Sequence, residues 1–404
     1  MDHGKISEKH MTVETGWNGP LRLPVGAFSV LTARAMCDYR PISASAAIRG
    51  SYMAQPSPGS NPTSLAVIAV VIAIIVGAFA YTGGWLSPDR LSGAKLVQAL
   101  TPPTGPALGH RRNHAKGVCF TGQFEANGNG TALSKAQVFA AGQYPVIGRF
   151  NFSTPDPNAS DATSRVRGLG LQISTPDGAV WRSAMIDPPF FPVATPDAFY
   201  ALLQASGDKN PDAMKNFAAA HPEIAAFGAW AGSAPWMSSY AEDTFNGLNA
   251  FLFVDAAGAK HAVRWSLKPQ AAGKGLSGEE FAKLGPNHLA EDITARVAAA
   301  PQRWTMVVTV AEPSDPTADP SKAWPAERKS VELGTLTVDR IQAEADGPCR
   351  DINFDPTILP NGITVSDDPF PAARSAAYAR SFALRMSEGK NYPRGDASQE
   401  GTQP

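Results

Sequence analysis

The chain has 404 residues, 43% of them hydrophobic and 18% charged, enough to bury one large core or two modest ones. Its formal net charge is -1 and no basic block stands out, which argues against nucleic acid and other polyanions as partners. Pro (35) and Gly (36) are both abundant, which points to many turns rather than a helical bundle. Cys37, Cys119 and Cys349 lack C-x-x-C or C-x-x-C-H spacing, so neither a zinc site nor covalent c-type haem attachment is supported. Cys119 and Cys349 are expected as buried free thiols, with a disulfide open to them only outside the cytoplasm.

Residues 1–64 have no sustained periodicity and read as a disordered N-terminal segment. Leu65 to Tyr81 contains no charged residue and no Pro, and Gly83-Gly84-Trp85-Leu86 extends it at the interface. Residues 65–85 therefore read as one transmembrane anchor. Lys5, Lys9, Arg22, Arg34, Arg40 and Arg49 precede it, a bias that keeps the N-terminus cytoplasmic and exports the body. The expectation is an inner-membrane, single-pass protein with its larger part in the periplasm. Ala78-Phe79-Ala80 also reads as a cleavage site, and Met53 as the start of a shorter leader; an uncleaved anchor is the expected form.

Residues 86–106 carry a helix start at Ser87-Pro88-Asp89 and a break at Thr101-Pro102-Pro103, and read as a stalk. The body is expected over 107–390, with a disordered tail at 391–404. Short apolar runs bounded by turn residues predict strands over 117–125, 146–152, 168–173, 180–186, 249–255, 262–267, 304–311 and 333–338. Helices are predicted over 135–141 with Ser134 as N-cap, from Thr195-Pro196-Asp197 onward, and over 212–220, 223–230, 279–284 and 289–299. A last long helix is predicted from Pro371 to about Met386. The class is α+β: an antiparallel β-barrel with helical insertions, preceded by one transmembrane helix.

Two strings carry chemistry: Asn113-His114-Ala115-Lys116-Gly117 and Arg374-Ser375-Ala376-Ala377-Tyr378. An Arg four residues before a Tyr shares its helical face and can hold the phenol as phenolate by supplying positive charge. A Tyr anion is a rare iron ligand, used by haem proteins of the catalase type. An imidazole on a separate segment is what the opposite face of such a haem needs to move a peroxide proton.

Further strings fall in order over residues 107–388: Arg111-Arg112 before the His, Gly148-Arg149-Phe150, Val166-Arg167-Gly168-Leu169-Gly170, Asn246-Gly247-Leu248-Asn249-Ala250-Phe251, Asp315-Pro316-Thr317 and Ala323-Trp324-Pro325. With the Arg374/Tyr378 helix they resemble the catalase superfamily, in particular the shorter catalase-related peroxidases of bacteria. The resemblance implies a catalase-like barrel and a haem b cofactor. It makes His114 the distal base, Tyr378 the axial iron ligand and Arg374 the group that keeps the phenol ionised. It also makes Arg111, Arg149 and Arg385 the partners of the haem propionates and sets Phe199 against the porphyrin plane.

Departures from the family pattern matter as much. The Asn of an Asn-x-Pro-x-Phe-Phe-like string matches Ile186 here, beside Asp187, so peroxide dismutation is expected to fall relative to oxidation of other donors. The Ser that orients the distal His matches Asn151, with Ser153 nearby, and Asn can accept the same hydrogen bond. Nothing matches the long arm, wrapping segment and C-terminal helical domain of large catalases, which implies a monomer or dimer without nucleotide. The expected activity is reduction of hydrogen or organic peroxides by small organic electron donors, with weak catalase activity. The alternatives are a fatty-acid hydroperoxide-transforming haem enzyme of the same fold, a non-catalytic haem-binding protein, and a β-rich envelope binding protein without haem.

Overall fold

The computed structural model describes residues 62–82, 87 and 90–395. Two compact units divide between Val76 and Gly77. Helix α1 spans Pro62–Thr82, 21 residues or about 31 Å at about 1.5 Å per residue, long enough to cross a bilayer core of about 30 Å. It carries no charged residue, and Leu65, Ile74 and Phe79 on it are exposed. The helix opens at a Pro, a residue whose missing N–H costs nothing in the first turn, three residues ahead of the expected anchor start. The expected extension over 83–86 lies outside the described residues, as do the segments 1–61 and 396–404.

The larger unit is built on eight long strands: β1 Gly117–Ala126, β2 Gly142–Phe152, β3 Arg167–Ser174, β4 Val180–Ile186, β6 Phe245–Val254, β7 Lys260–Pro269, β9 Gln302–Val310 and β10 Ser330–Ala343. Between them, β5 Trp236–Met237 and β8 Gly275–Leu276 form a separate two-residue ladder. Every pairing is antiparallel, and the order β6-β4-β3-β2-β1-β10-β9-β7 closes on itself because β6 also pairs with β7. A short strand β11, Ile363–Val365, adds to β6 on the outside of the ring. The eight strands expected from apolar alternation are these eight. Along β4 burial alternates residue by residue, the period-2 signature of a strand with one face in the core.

The barrel interior is aromatic. Phe120, Phe124, Phe139, Phe150, Phe245, Phe253 and Trp304 are fully buried, each contributing about 1.5–3 kcal/mol through area removed from water. Phe150 stacks on Tyr240 with centroids 5.2 Å apart and meets Trp304 at 5.6 Å.

Helices surround the barrel: α2 Gly93–Ala99, α3 Pro196–Gly207, α4 Ala213–Ala220, α5 Ile224–Ser233, α6 Gly278–Ala282, α7 His288–Ala299 and α8 Phe370–Ser387. Thr195 caps α3 by accepting from Ala198 N at 3.2 Å, and Ser277 with Glu280 closes a capping box on α6. Two expectations fail. Residues 135–141 make only a 3-10 turn over Gln137–Phe139, because Ser134 Oγ accepts from Ala136 N while donating to Gly362 O, and β2 begins at Gly142. The segment expected as a stalk is packed on the body: α2 buries Leu96 and Val97, and its Gly93 lies so close to the Ala376 carbonyl of α8 that no side chain would fit.

The expected free thiols are also replaced. Cys119 on β1 and Cys349 form a fully buried disulfide with Cα atoms 5.3 Å apart. The antiparallel β1–β10 ladder brings this about, since it carries Cys119 opposite Gln342 and the chain then turns back through Gly347, which packs on the Cys119 side chain.

Candidate active site

Helix α8 carries three of the sequence-identified residues on one face. Arg374 precedes Tyr378 by four residues and Arg385 follows it by seven, close to two full turns. The Arg374 guanidinium donates to the Tyr378 phenol oxygen at 3.1 Å, to Asn249 Oδ1 at 2.7 Å and to the Ala184 carbonyl at 2.9 Å. Asn249 in turn donates to Asp368 Oδ2 at 2.9 Å, and the other oxygen of Asp368 accepts from Phe370 N at the start of α8. Burial pushes the Asp368 carboxyl up, against the pull of its bond from Asn249. Asn249 reaches this position because the β6–β7 register breaks between Gly247 and Phe251, a bulge that re-aims side chains.

His114 comes from the turn before β1. It is the one non-glycine residue with positive φ among the described residues, at φ 56, a conformation that costs about 1–3 kcal/mol. Asn113 Oδ1 accepts from His114 N at 2.8 Å, and Ala115 N donates to Thr154 O at 2.8 Å, which together hold the strained turn. The imidazole Nδ1 is buried without a hydrogen-bond partner among the described residues. Burial pushes the ring down to about 4, with the Arg149 charge adding to the effect, while Asn151 pulls the other way. Asn151 Nδ2 donates to the Arg149 carbonyl at 3.2 Å, and its side chain is also a hydrogen-bonding neighbour of the His114 ring. The Asn151 side chain lies against Gly168, where a Cβ would come within 2.5 Å of Oδ1.

Arg149 on β2 is 1% exposed, faces away from the barrel interior that its neighbour Phe150 fills, and is held by Glu344, the residue after β10. Its Nε and Nη2 donate to the two Glu344 oxygens at 2.8 and 2.6 Å, and Nη2 also to Ala115 O at 3.1 Å. Arg111 donates through Nε to Glu344 at 3.3 Å and through Nη2 to the carbonyls of Cys349 and Ile352 at 3.1 and 3.2 Å. Arg385 donates through Nη1 to Arg350 O, and its Nη2 is buried without a partner among the described residues. Burial, and then the Arg149 charge, pushes Arg111 down to about 9; burial pushes Arg385 down to about 10. For Glu344, burial is outweighed by Arg149 and Arg111, which leave its carboxyl below the ordinary value.

A cavity of about 310 Å³ gathers these residues. Its lining includes His114 and Asn151, Tyr378 and Arg374, the three guanidiniums of Arg111, Arg149 and Arg385, and Ile186 and Phe199. Phe199 rests against Phe191 at a centroid distance of 5.2 Å. The eight residues given a catalytic or cofactor role from sequence, and Ile186, thus line one space. Sequence reading missed Asn249, Asp368 and Glu344, and missed that Leu96, Val97 and Leu100 of the α2 segment also line the cavity. Glu344 had no local signal, since it bonds to a residue 195 positions away. Asn249 lay inside a string already noted, without a role.

The family model described as Catalase matches residues 90–395. The chain belongs to the catalase family. It is 33% identical over 328 residues to the catalase-related peroxidase of Synechococcus elongatus, covering 80% of this chain and 95% of that one. It is 30% identical over 311 residues to the catalase-related peroxidase of Mycolicibacterium paratuberculosis, covering 75% and 96%. A solved bacterial catalase superposes with a TM-score of 0.62 at 20% identity, over 73% of this chain and 60% of that chain. The chain therefore spans about 60% of the length of that larger catalase, while it covers nearly all of the two short relatives.

Proposed function

We propose that this protein is a haem b peroxidase, reducing hydrogen peroxide or organic peroxides with small organic electron donors and having weak catalase activity. Its family membership makes it a peroxidase-type oxidoreductase. One observation carries the finer reading: Tyr378 and His114 line the same cavity as the guanidiniums of Arg111, Arg149 and Arg385. The donor set fits haem. A phenol oxygen backed by a guanidinium suits ferric iron, and an imidazole faces the same space. At the basic end, three guanidiniums against the single Glu344 carboxylate leave two positive charges, which suits the two carboxylates of haem b.

Bound haem would supply the iron-centred reduction of the peroxide O–O bond and the one-electron oxidation of donors. The chain's own residues do the rest. Tyr378 would hold the iron through its phenol oxygen, and Arg374, fixed by Asn249 and the Ala184 carbonyl, donates to that oxygen and would stabilise negative charge on it. His114, held neutral at pH 7 by burial, takes the proton from the near peroxide oxygen and returns it to the far one, so that water can leave. Ile186 puts a methyl-bearing wall where the family carries an amide, so a second peroxide lacks its orienting group and external donors are favoured.

The aromatic and aliphatic lining of Ile186, Phe191, Phe199 and Phe227 supports a second reading, in which fatty-acid hydroperoxides are transformed in the same cavity. Turnover of a lipid hydroperoxide without added donor would favour it. We further propose a single-pass inner-membrane protein, anchored through residues 65–85, with its catalytic body in the periplasm as a monomer or dimer. The length of α1 and the Cys119–Cys349 disulfide, a bond of oxidising compartments, support that placement. The body includes α2 at its N-terminal side. The experiment is an optical titration of the purified chain with ferric haem b, then oxidation of a phenolic donor by hydrogen peroxide. A stoichiometric high-spin complex that oxidises the donor is expected; failure to bind haem ends the proposal.

A further inference from the structure

Glu344 does not line the cavity, yet it holds two of the residues that do. It lies behind Arg149 and Arg111, at the point where β10 ends and the chain turns toward Cys349. Its carboxylate takes up Nε and Nη2 of Arg149 and Nε of Arg111. The carbonyls of Cys349 and Ile352 take up Nη2 of Arg111, and the carbonyl of Arg350 takes up Nη1 of Arg385. Among the described residues no protein partner remains for Nη1 of Arg111, Nη1 of Arg149 or Nη2 of Arg385. Each guanidinium is thus engaged from behind and keeps one terminal nitrogen in reserve.

We propose that Glu344 is a positioning residue for the cofactor: it turns Arg149 and Arg111 so that their unpartnered nitrogens meet the carboxylates of a porphyrin. This rests on the haem reading above. A carboxylate is suited to the task because it accepts from two guanidinium edges at once. An amide at the same place would offer one acceptor and turn N–H donors toward N–H donors.

Three roles for Glu344 predict different signs. Positioning predicts that its loss weakens only porphyrins bearing carboxylates. A general structural role predicts equal weakening of every porphyrin. Pure charge screening predicts that its removal tightens binding of an acidic porphyrin, by exposing more positive charge. The test is optical titration of the full chain with ferric protoporphyrin IX and with its dimethyl ester, for the unmodified protein, E344Q and E344D.

The expected result is that the unmodified chain prefers the diacid, that E344Q loses about tenfold or more in affinity for it, the worth of one charge-assisted hydrogen bond, and that its affinity for the ester stays within about twofold. E344D keeps the charge but is one methylene shorter, so a smaller loss on the diacid and none on the ester is expected. If E344Q does not fold, E344D decides. Parallel weakening of both porphyrins, tighter binding of the diacid, or no change overturns the proposal. Equal affinity of the unmodified chain for both porphyrins also overturns it while leaving the haem reading intact. Binding of neither ends both.

Discussion

Around Tyr378 every link is made: phenol to Arg374, Arg374 to Asn249, Asn249 to Asp368, Asp368 back to the first turn of α8. Around His114 the opposite holds, with a left-handed backbone and a buried ring Nδ1 that nothing among the described residues satisfies. On the proposed haem reading, the difference follows from what each side would do. A ligand gains from a fixed oxygen and a fixed charge beside it, so a closed hydrogen-bond chain serves it. A base that accepts and returns a proton gains from a ring kept neutral and poised, and burial without a strong partner does that.

The largest test of this contrast is His114→Ala. It should leave haem binding and its optical spectrum in place while donor oxidation falls by about 10²–10⁴-fold, measured by stopped flow with a phenolic donor. An unchanged rate would remove the His114 side of the comparison altogether. Next comes the covalent support of the basic end. The paired Cys119→Ser and Cys349→Ser variant should lose about 2–5 kcal/mol in denaturant unfolding, because the loop carrying the carbonyls that hold Arg111 and Arg385 is no longer tied to β1.

Breaking the Tyr378 side at its second link should cost less. Asn249→Ala removes one of the two acceptors that fix Arg374 and takes from buried Asp368 its side-chain donor, for an expected loss of about 10–100-fold in haem affinity by titration. An affinity equal to the unmodified chain would mean that the hydrogen-bond chain is not what fixes the ligand.

A further effect is on pH. His114 in the folded protein is lowered to about 4 from an ordinary 6.5, so between those values the unfolded chain binds the extra proton. Stability contributed by this group is therefore complete above about pH 6.5 and is lost as pH falls toward 4. Urea unfolding of the unmodified chain and His114→Ala across that window should show the loss only in the former. The same shift keeps the base unprotonated in mildly acidic medium, so donor oxidation should persist to near pH 5.

Much of this architecture was legible in the sequence, for local reasons. Apolar alternation marked all eight barrel strands, and the Arg374/Tyr378 spacing fixed a helical face. Non-local matters were not legible. The ring closure through β6 and β7 depends on register, the Cys119–Cys349 pairing on residues 230 positions apart, and the Glu344 contacts on strands that meet only in the barrel. The failed helix at 135–141 has a local cause, since a Ser that also donates across to Gly362 caps a turn rather than a helix. Burial of α2 was missed because a short amphipathic stretch before Pro102-Pro103 reads the same whether its apolar face meets solvent or α8.

The Cys119–Cys349 bond makes a covalent loop that begins within β1 and ends beyond β10, taking in the α3, α4 and α5 helices on the way. A protease that cuts the exposed turn at Lys209 or Asn210 would therefore release no fragment. The nicked chain would migrate as one species in an unreduced gel and separate into pieces only after thiol treatment. Outside the cell's reducing interior, such a molecule could be cut there and still carry both halves of its reactive cleft.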